Sequence, residues 1–327
     1  MIDFFAIFKS VQARKARSCC HITKAGFTLV ELAIVLVIIG LVVGGVLVGQ
    51  DLIQAAMIRS QISQIEKYQV AVNSFKLKYG YLPGDIPDPT ASAFGFVARG
   101  TNLGQGDGNG LIQGNCSYQG GSFCSPFVSP FSLSAIQASG ENPMFWEDLS
   151  TAKLIEGNFS TASCCSSTMP AQGSISETST PALKDYFPRA KLGESYFIRV
   201  GNGGPQYFSG LSLTQKNYFD LSYRPTTDQG SSEGRPKIPV RVAYNIDNKI
   251  DDGLPQSGNV LASVLYAPSA TWPMIWVQND NTATDAITAS ATTCYDNGGD
   301  SSGAIKTYSI SQNGGNGLNC ALSFKFQ

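Results

Sequence analysis

A single glutamate inside a long apolar run constrains this chain more than any other feature. The segment Phe27 to Val48 contains 22 residues and one charged side chain, Glu31. At about 1.5 Å per residue, a helix of this length measures about 33 Å, which is enough to cross the hydrocarbon core of a bilayer. A carboxylate in such a helix costs about 2.5–3.5 kcal/mol on insertion scales. We therefore expect the chain to use Glu31.

The residues before this segment are basic. Residues 1–26 contain five Lys or Arg against one acid, Asp3. This bias predicts a cytoplasmic N-terminus and a C-terminal part on the far side of the membrane. An ordinary cleaved signal peptide is the alternative, but its apolar region has only about 7–15 residues and ends in a small-residue cleavage site.

The sequence AGFTLVE at residues 25–31, followed by the apolar run, resembles the class III signal of type IV pilins and of type II secretion pseudopilins. The resemblance implies that prepilin peptidase cuts between Gly26 and Phe27 and that Phe27 is then N-methylated. It also implies that Glu31 pairs with the N-terminal ammonium of a neighbouring subunit, and a buried carboxylate needs such a partner. The alternative is an intrahelical or snorkelling glutamate with no role in assembly.

An amphipathic segment follows the apolar one without a proline. Seven apolar residues recur at steps of three and four, which indicates one stripe on a helix that packs against the protein's own globular domain. A coiled-coil partner is the alternative. Gly80 and Pro83 then end the helix. The stripe consists of Ile58, Ile62, Ile65, Tyr68, Val72, Phe75 and Tyr79.

The next motifs extend the resemblance to prepilin-like proteins. These are YGYLPGDIPDP at 79–89, GQGDGNGLI at 104–112 and a tryptophan-containing helix within 141–157. The predicted organisation is a leader (1–26), a transmembrane helix half (27–48), an amphipathic half of the same helix (49–79) and a loop-rich globular domain (80–327). The expected fold is α+β and pilin-like, with the long N-terminal helix packed on a C-terminal antiparallel β-sheet domain with long disulfide-bonded loops.

Candidate strands are short runs rich in apolar and β-branched residues between turn residues. They are Tyr196–Val200, Tyr218–Tyr223, Val240–Tyr244, Val260–Tyr266, Met274–Val277, Lys306–Ile310 and Leu322–Phe326.

Charge and histidine content exclude several functions for the mature chain. Removing the five basic residues and one acid of the leader from the chain's 23 and 24 leaves a net charge of about −5, so nucleic acid is an unexpected partner. The only histidine, His21, lies in the leader, which removes His-dependent triads and zinc-bound water. An exported enzyme that uses Asp247, Asp251 and Asp252 as acid and base is a remaining alternative.

Six cysteines follow the leader, and an even number in an oxidising compartment indicates disulfides. The simplest pairs are Cys116–Cys124 and Cys294–Cys320, which leaves Cys164 and Cys165 for each other or for other partners. A cysteine metal site is the alternative.

Two acidic loops are candidate calcium sites, because hard oxygen ligands on a glycine-bent loop suit Ca²⁺. One contains Asp107 and Asn109, and the other contains Asp247, Asp251 and Asp252. For each loop the alternative is a turn whose aspartates are solvated or cap the backbone.

The resemblance predicts a structural subunit of a type IV pilus, held in the bacterial inner membrane by lipid contacts with its C-terminal domain in the periplasm. Its partners would be prepilin peptidase, other pilin or pseudopilin subunits and the inner-membrane assembly platform. A domain of this size suggests a minor or specialised subunit, since abundant pilins are usually smaller. The alternatives are a type II secretion pseudopilin and a filament-tip adhesin or DNA-uptake subunit.

Overall fold

The computed structural model describes residues 28–101, 104–114, 140–162, 164, 182–203, 214–223, 236–262, 293–296 and 306–327. Several predicted features lie outside the described residues. They are Gly26, Phe27, Cys116, Cys124, Cys165 and the candidate strand Met274–Val277.

Helix α1, Leu29–Tyr79, is 51 residues long and contains no proline that would remove an i to i−4 hydrogen bond. The helix predicted over residues 27–79 is therefore confirmed from Leu29 onward. It ends at Gly80, whose φ is +82° and whose amide donates to the carbonyl of Lys76 at 2.9 Å. Glycine adopts this left-handed conformation without the cost that a Cβ imposes, which makes it a common helix terminator.

The chain divides into two compact units, Met1–Leu52 and Ile53–Gln327. In the first unit, the large apolar side chains of α1 from Leu29 to Val48 are all exposed. This part of α1 is long and apolar enough to cross a membrane.

In the second unit, α1 buries the predicted stripe. Five members of the stripe are buried and two, Ile62 and Tyr79, are partly buried against the same core. Two glutamines share this face: the Oε1 atoms of Gln61 and Gln64 both accept from the Lys191 amide, at 2.7 and 3.2 Å. The stripe therefore packs on the protein's own domain, as predicted. Its buried members are Ile58, Ile65, Tyr68, Val72 and Phe75.

The remaining elements of the second unit are short. The helices are α2 Thr90–Ala93, α3 Glu141–Thr151 and α4 Val240–Ile250. The strands are β1 Tyr196–Gly203, β2 Thr214–Tyr223, β3 Ile238–Pro239, β4 Val260–Ala262, β5 Tyr295–Asp296, β6 Thr307–Tyr308, β7 Leu318–Cys320 and β8 Leu322–Lys325.

The main sheet has four antiparallel strands in the order β1-β2-β8-β4, and the pairs β3-β7 and β5-β6 stand apart from it. Phe219 of β2 lies opposite Val200 of β1 and Phe324 of β8, and all three are buried. The Phe219 ring is 5.9 Å from the Trp146 ring of α3 and 6.1 Å from the Tyr68 ring of α1. One sheet face therefore forms the core with α1 and α3, and the predicted α+β fold is confirmed.

One predicted strand is wrong: Val240–Tyr244 is the first half of α4. The other candidate strands within the described residues each overlap an observed strand. In α4, Val240, Ala243 and Ile246 are buried at the three-residue spacing of a helix face. Tertiary packing of that face overrides the strand preference of the β-branched residues.

Candidate functional site

The first turn of α1 holds Glu31 in a capping box. The Thr28 carbonyl accepts from the Leu32 amide at 3.3 Å, which makes Thr28 the N-cap. The Thr28 amide and hydroxyl both donate to Glu31 Oε2 at 2.8 Å, and the Glu31 amide donates back to the Thr28 hydroxyl oxygen at 3.3 Å. These reciprocal bonds satisfy two backbone donors that a helix start otherwise leaves unpaired.

The intrahelical partner proposed as the alternative for Glu31 is thus present in the unassembled chain. The sequence signal for it is T-x-x-E at residues 28–31, which is the pattern of a capping box. A subunit partner for Glu31 stays a prediction, as does the Gly26–Phe27 junction.

A first acid cluster comprises Asp85, Asp107 and Glu141, whose carboxylate oxygens lie within 4.8 Å of one another. Asp85 and Glu141 are each only 1% exposed. Asp85 accepts from the amides of Gly108 and Gly110, both at 2.7 Å. All of its partners in these bonds belong to the GDGNG loop, which therefore wraps around the buried Asp85 carboxylate.

Glu141, the first residue of α3, binds the same loop from the other side. Its Oε1 accepts from the Gly106 amide and its Oε2 accepts from the Gln113 amide, both at 2.8 Å. The predicted pair Asp107 and Asn109 lies on the rim, where Asp107 Oδ1 accepts from the Asn109 amide at 3.0 Å. Glu141 and Asp85 thus anchor the loop, while Asp107 and Asn109 shape its turn.

Burial controls the protonation of this cluster. It raises the pKa of Asp85 to about 7 and also raises the pKa of Asp107. The pKa of Glu141 lies well above its ordinary value, because of burial first and the charge of Asp85 second. A proton or a cation would relieve the repulsion between these carboxylates.

A buried ion pair supports the same region. The Arg99 Nη2 atom lies 2.5 Å from Asp148 Oδ1 of α3, with both side chains 0% exposed. The second oxygen of Asp148 accepts from the Gly84 amide at 2.6 Å, one residue before Asp85. Asn217 of β2 connects the sheet to the end of the loop that contains GDGNG, since its Oδ1 accepts from the Ile112 amide at 2.9 Å.

The second acid cluster comprises the predicted residues Asp247, Asp251 and Asp252, with carboxylate oxygens within 4.8 Å of one another. Asp247, on α4, accepts from the Tyr308 hydroxyl at 2.7 Å and from the Gly253 amide at 3.2 Å. Burial raises the pKa of Asp247 to about 7. The structure therefore brings together the three acids that the sequence placed on one loop.

The two less buried members of this cluster, the half-buried Asp251 and the exposed Asp252, bind the loop that follows α4. Asp251 accepts from the Asn259 amide and from the Val260 amide, the latter at 3.2 Å. Asp252 accepts from the Leu254 amide at 2.8 Å and the Ser257 hydroxyl at 2.6 Å. Asp251 and Asp252 therefore cap backbone amides of this turn, as the alternative to calcium binding predicts.

Both clusters offer only oxygen donors, a set that fits Ca²⁺ in chemical type. Each carboxylate oxygen has more than one acceptor site, so the amide bonds described above leave room for a cation. Metal binding by Asp107, Asn109, Asp247, Asp251 and Asp252 stays a prediction. If the first loop binds a metal, Asp85 and Glu141 are its further ligands.

The predicted Cys294–Cys320 disulfide is present and joins the residue before β5 to the end of β7. Cys164 is also disulfide-bonded.

Comparison with known proteins bears on the N-terminal region. Residues 23–47 match the family model for the prokaryotic N-terminal methylation motif, which is the signal motif of type IV pilins and pseudopilins. No curated protein and no solved structure was found to match the chain. The chain thus carries a structural pilin-type motif, which implies processing by prepilin peptidase and assembly with other pilin subunits.

Proposed function

We propose that this protein is a minor or specialised structural subunit of a type IV pilus. Prepilin peptidase removes residues 1–26, and methylation then modifies the amine of Phe27. Until assembly, the first half of α1 holds the subunit in the inner membrane, with the globular domain in the periplasm. The assembly platform then transfers the subunit into a filament.

The observation that carries this proposal is where the methylation motif lies. It covers residues 23–47, and from Leu29 it coincides with the exposed apolar part of α1. Exposed apolar side chains over this length need lipid or other helices around them. A subunit that moves from a bilayer to the helical interior of a filament meets that need in both places.

Glu31 favours assembly because the filament would provide its carboxylate with a second, oppositely charged partner. In the single chain its carboxylate accepts hydrogen bonds from the Thr28 amide and hydroxyl. In the filament, the ammonium of a neighbouring Phe27 would add an opposite charge in a medium of low dielectric constant, where such a pair is strong. The proposed role is mechanical and requires no catalytic chemistry from the chain.

The proposal is tested on the full-length precursor, expressed with a prepilin peptidase and analysed by mass spectrometry of the N-terminus. We expect a mature chain that begins with N-methylated Phe27. A Gly26→Val precursor should stay uncut, because its side chain would occupy the position before the cut bond. Cleavage elsewhere, or none in the wild type, would overturn the proposal.

The same motif serves pili and type II secretion, so a second experiment separates the two machines. The gene that encodes this chain is deleted, and both piliation and protein secretion are measured in the same strain. Loss of piliation with normal secretion is the expected result. The reverse pattern would assign the chain to a pseudopilus.

A further inference from the structure

We propose that Asn158 is a glycosylation site, at which an oligosaccharide is joined to the side-chain amide nitrogen. Residues 156–160 read EGNFS. An Asn-X-Ser sequence in which X is not proline is an acceptor for N-glycosylation when it lies on a surface loop of an exported protein. The inference goes beyond the proposed function but rests on its export step, because the globular domain must leave the cytoplasm to meet the transferase.

The structure places this sequence on a surface turn that one buried aromatic residue anchors. The turn follows α3, which ends at Thr151. Asn158 and Ser160 are both exposed, whereas Phe159 between them is only 5% exposed. The ring centroids of Phe159 and of Trp146 on α3 are 6.4 Å apart. The buried phenylalanine thus holds the turn against α3 and leaves the two residues that an acceptor requires at the surface.

Backbone contacts hold the turn on both sides of the acceptor residue. The Phe159 amide donates to the Ser150 hydroxyl oxygen at 3.5 Å, and the Thr161 hydroxyl donates to the Asp185 carbonyl at 3.0 Å. Gly157 has a φ of +105°, and a Cβ there would lie 3.0 Å from the Phe159 ring. The chain passes this closely over the ring because glycine has no side chain.

The acceptor side chains are available to a second protein. Within the described part of the chain, neither Asn158 nor Ser160 makes a side-chain hydrogen bond. Glu156, two residues before Asn158, is exposed as well and gives the segment a negative charge that a basic acceptor groove would bind. The chain has two Asn-X-Ser sequences, and only this one has an acid at that place.

The transfer itself is balanced in atoms and electrons. The Asn158 Nδ2 atom forms a bond to the anomeric carbon of a lipid-pyrophosphate-linked oligosaccharide. The bond from that carbon to the phosphate oxygen breaks, lipid pyrophosphate leaves, and one proton of Nδ2 passes to a base of the transferase. An amide nitrogen is a weak nucleophile, so the transferase must hold it in place, and the Ser160 hydroxyl offers a second polar group for this purpose.

The test uses the full-length chain, purified from the cells that produce it, and tandem mass spectrometry of its reduced tryptic peptide 154–184. We expect a sugar mass attached to Asn158. Asn158→Gln and Ser160→Ala should each lose this mass, whereas Ser160→Thr should keep it because threonine also carries the hydroxyl. Asn259→Gln, an exposed asparagine outside any Asn-X-Ser sequence, is the matched control and should leave the modification unchanged.

Two further measurements separate the possible outcomes. Glu156→Gln should lower the modified fraction about two- to five-fold, as one exposed charge contact would, and an unchanged fraction would overturn the role given to Glu156. A sugar that persists in Asn158→Gln would lie on a hydroxyl and would overturn the inference.

Protease accessibility of the globular domain in spheroplasts is measured in parallel. An accessible domain with an unmodified Asn158 would overturn this inference alone. A domain that stays in the cytoplasm would overturn the proposed function, and this inference with it.

Discussion

At the scale of single residues, Glu31 has one partner in the described chain and a second in the proposed filament. The first is Thr28, which needs only an acceptor oxygen at position 31. The second is a neighbouring ammonium, which needs a negative charge. Glutamine also serves at this position of a capping box, so the two roles can be separated by substitution.

We therefore predict that Glu31→Ala and Glu31→Gln are both processed to completion and both assemble poorly. The cause is loss of the charge that pairs with the N-terminus of the next subunit. Filament incorporation is measured by immunoblot of sheared filaments, and methylation by mass spectrometry. Normal incorporation of Glu31→Ala would contradict the assembly role, whereas normal incorporation of Glu31→Gln alone would show that the charge is not needed.

Two glycines of the loop that contains GDGNG differ in what surrounds them. Gly104 and Gly110 both have positive φ, +72° and +83°. A Cβ on Gly104 would lie 1.8 Å from the Gly114 carbonyl oxygen, whereas a Cβ on Gly110 meets nothing closer than 4.0 Å. Position 104 requires glycine because another backbone segment lies where a Cβ would be. Position 110 favours glycine only because its φ is positive.

This contrast predicts different stabilities for two alanine variants. Gly110→Ala should lower the free energy of unfolding by about 1–2 kcal/mol, the cost of a left-handed alanine. Gly104→Ala should cost about 3 kcal/mol or more, because the backbone must also move. Urea denaturation of the full chain in detergent checks both values. Equal losses would show that the loop yields at Gly104 without strain.

At the scale of elements, local pattern predicts some boundaries and misses others. The long helix is predictable because its sequence has no proline and contains the apolar stripe that begins at Ile58. Both signals lie within the helix segment itself. Val240–Tyr244 reads V-R-V-A-Y, which alternates like a strand, yet it forms the first half of α4. Only the further residues Ile246 and Ile250 complete the helical spacing. Short apolar runs do not contain enough residues to distinguish the two periods.

The two acid clusters predict how stability depends on pH. Burial raises the pKa values of Asp85 and Asp247 to about 7, whereas an unfolded aspartate titrates near 3.9. Between these values the folded state holds more protons than the unfolded state, so stability falls as pH rises from about 4 to about 7. We expect the melting midpoint in EGTA to follow this slope, and Asp85→Asn to flatten it. A midpoint that rises over this range would contradict the prediction.

Calcium should act in the same experiment if the clusters bind it. A cation replaces the missing protons and stabilises the deprotonated carboxylates. We therefore expect Ca²⁺ to raise the midpoint most where the clusters are ionised, above pH about 7. An unchanged midpoint with and without EGTA would remove calcium as a structural element.

At the scale of the whole molecule, the sequence predicts the second acid cluster but only part of the first. Asp247, Asp251 and Asp252 lie within six residues, so the last turn of α4 and the chain directly after it bring them together. Asp85 and Glu141 flank Asp107 at distances of 22 and 34 residues in the chain. Their meeting depends on α3 packing beside the loop that leaves α1, and no local pattern encodes that packing.

The two halves of α1 differ in whether their apolar side chains are buried, and this difference gives a last prediction. Apolar side chains from Leu29 to Val48 are exposed, whereas Ile58 and Ile65 are 3% and 1% exposed in the core. A chain that starts at Ile53 should therefore be soluble and should unfold cooperatively with its Cys294–Cys320 disulfide intact. A chain that starts at Glu66 loses both isoleucines, each worth about 2–5 kcal/mol when truncated to alanine. Its melting midpoint should be far lower, or it should not fold, whereas equal midpoints would show that this part of α1 is not required for the core.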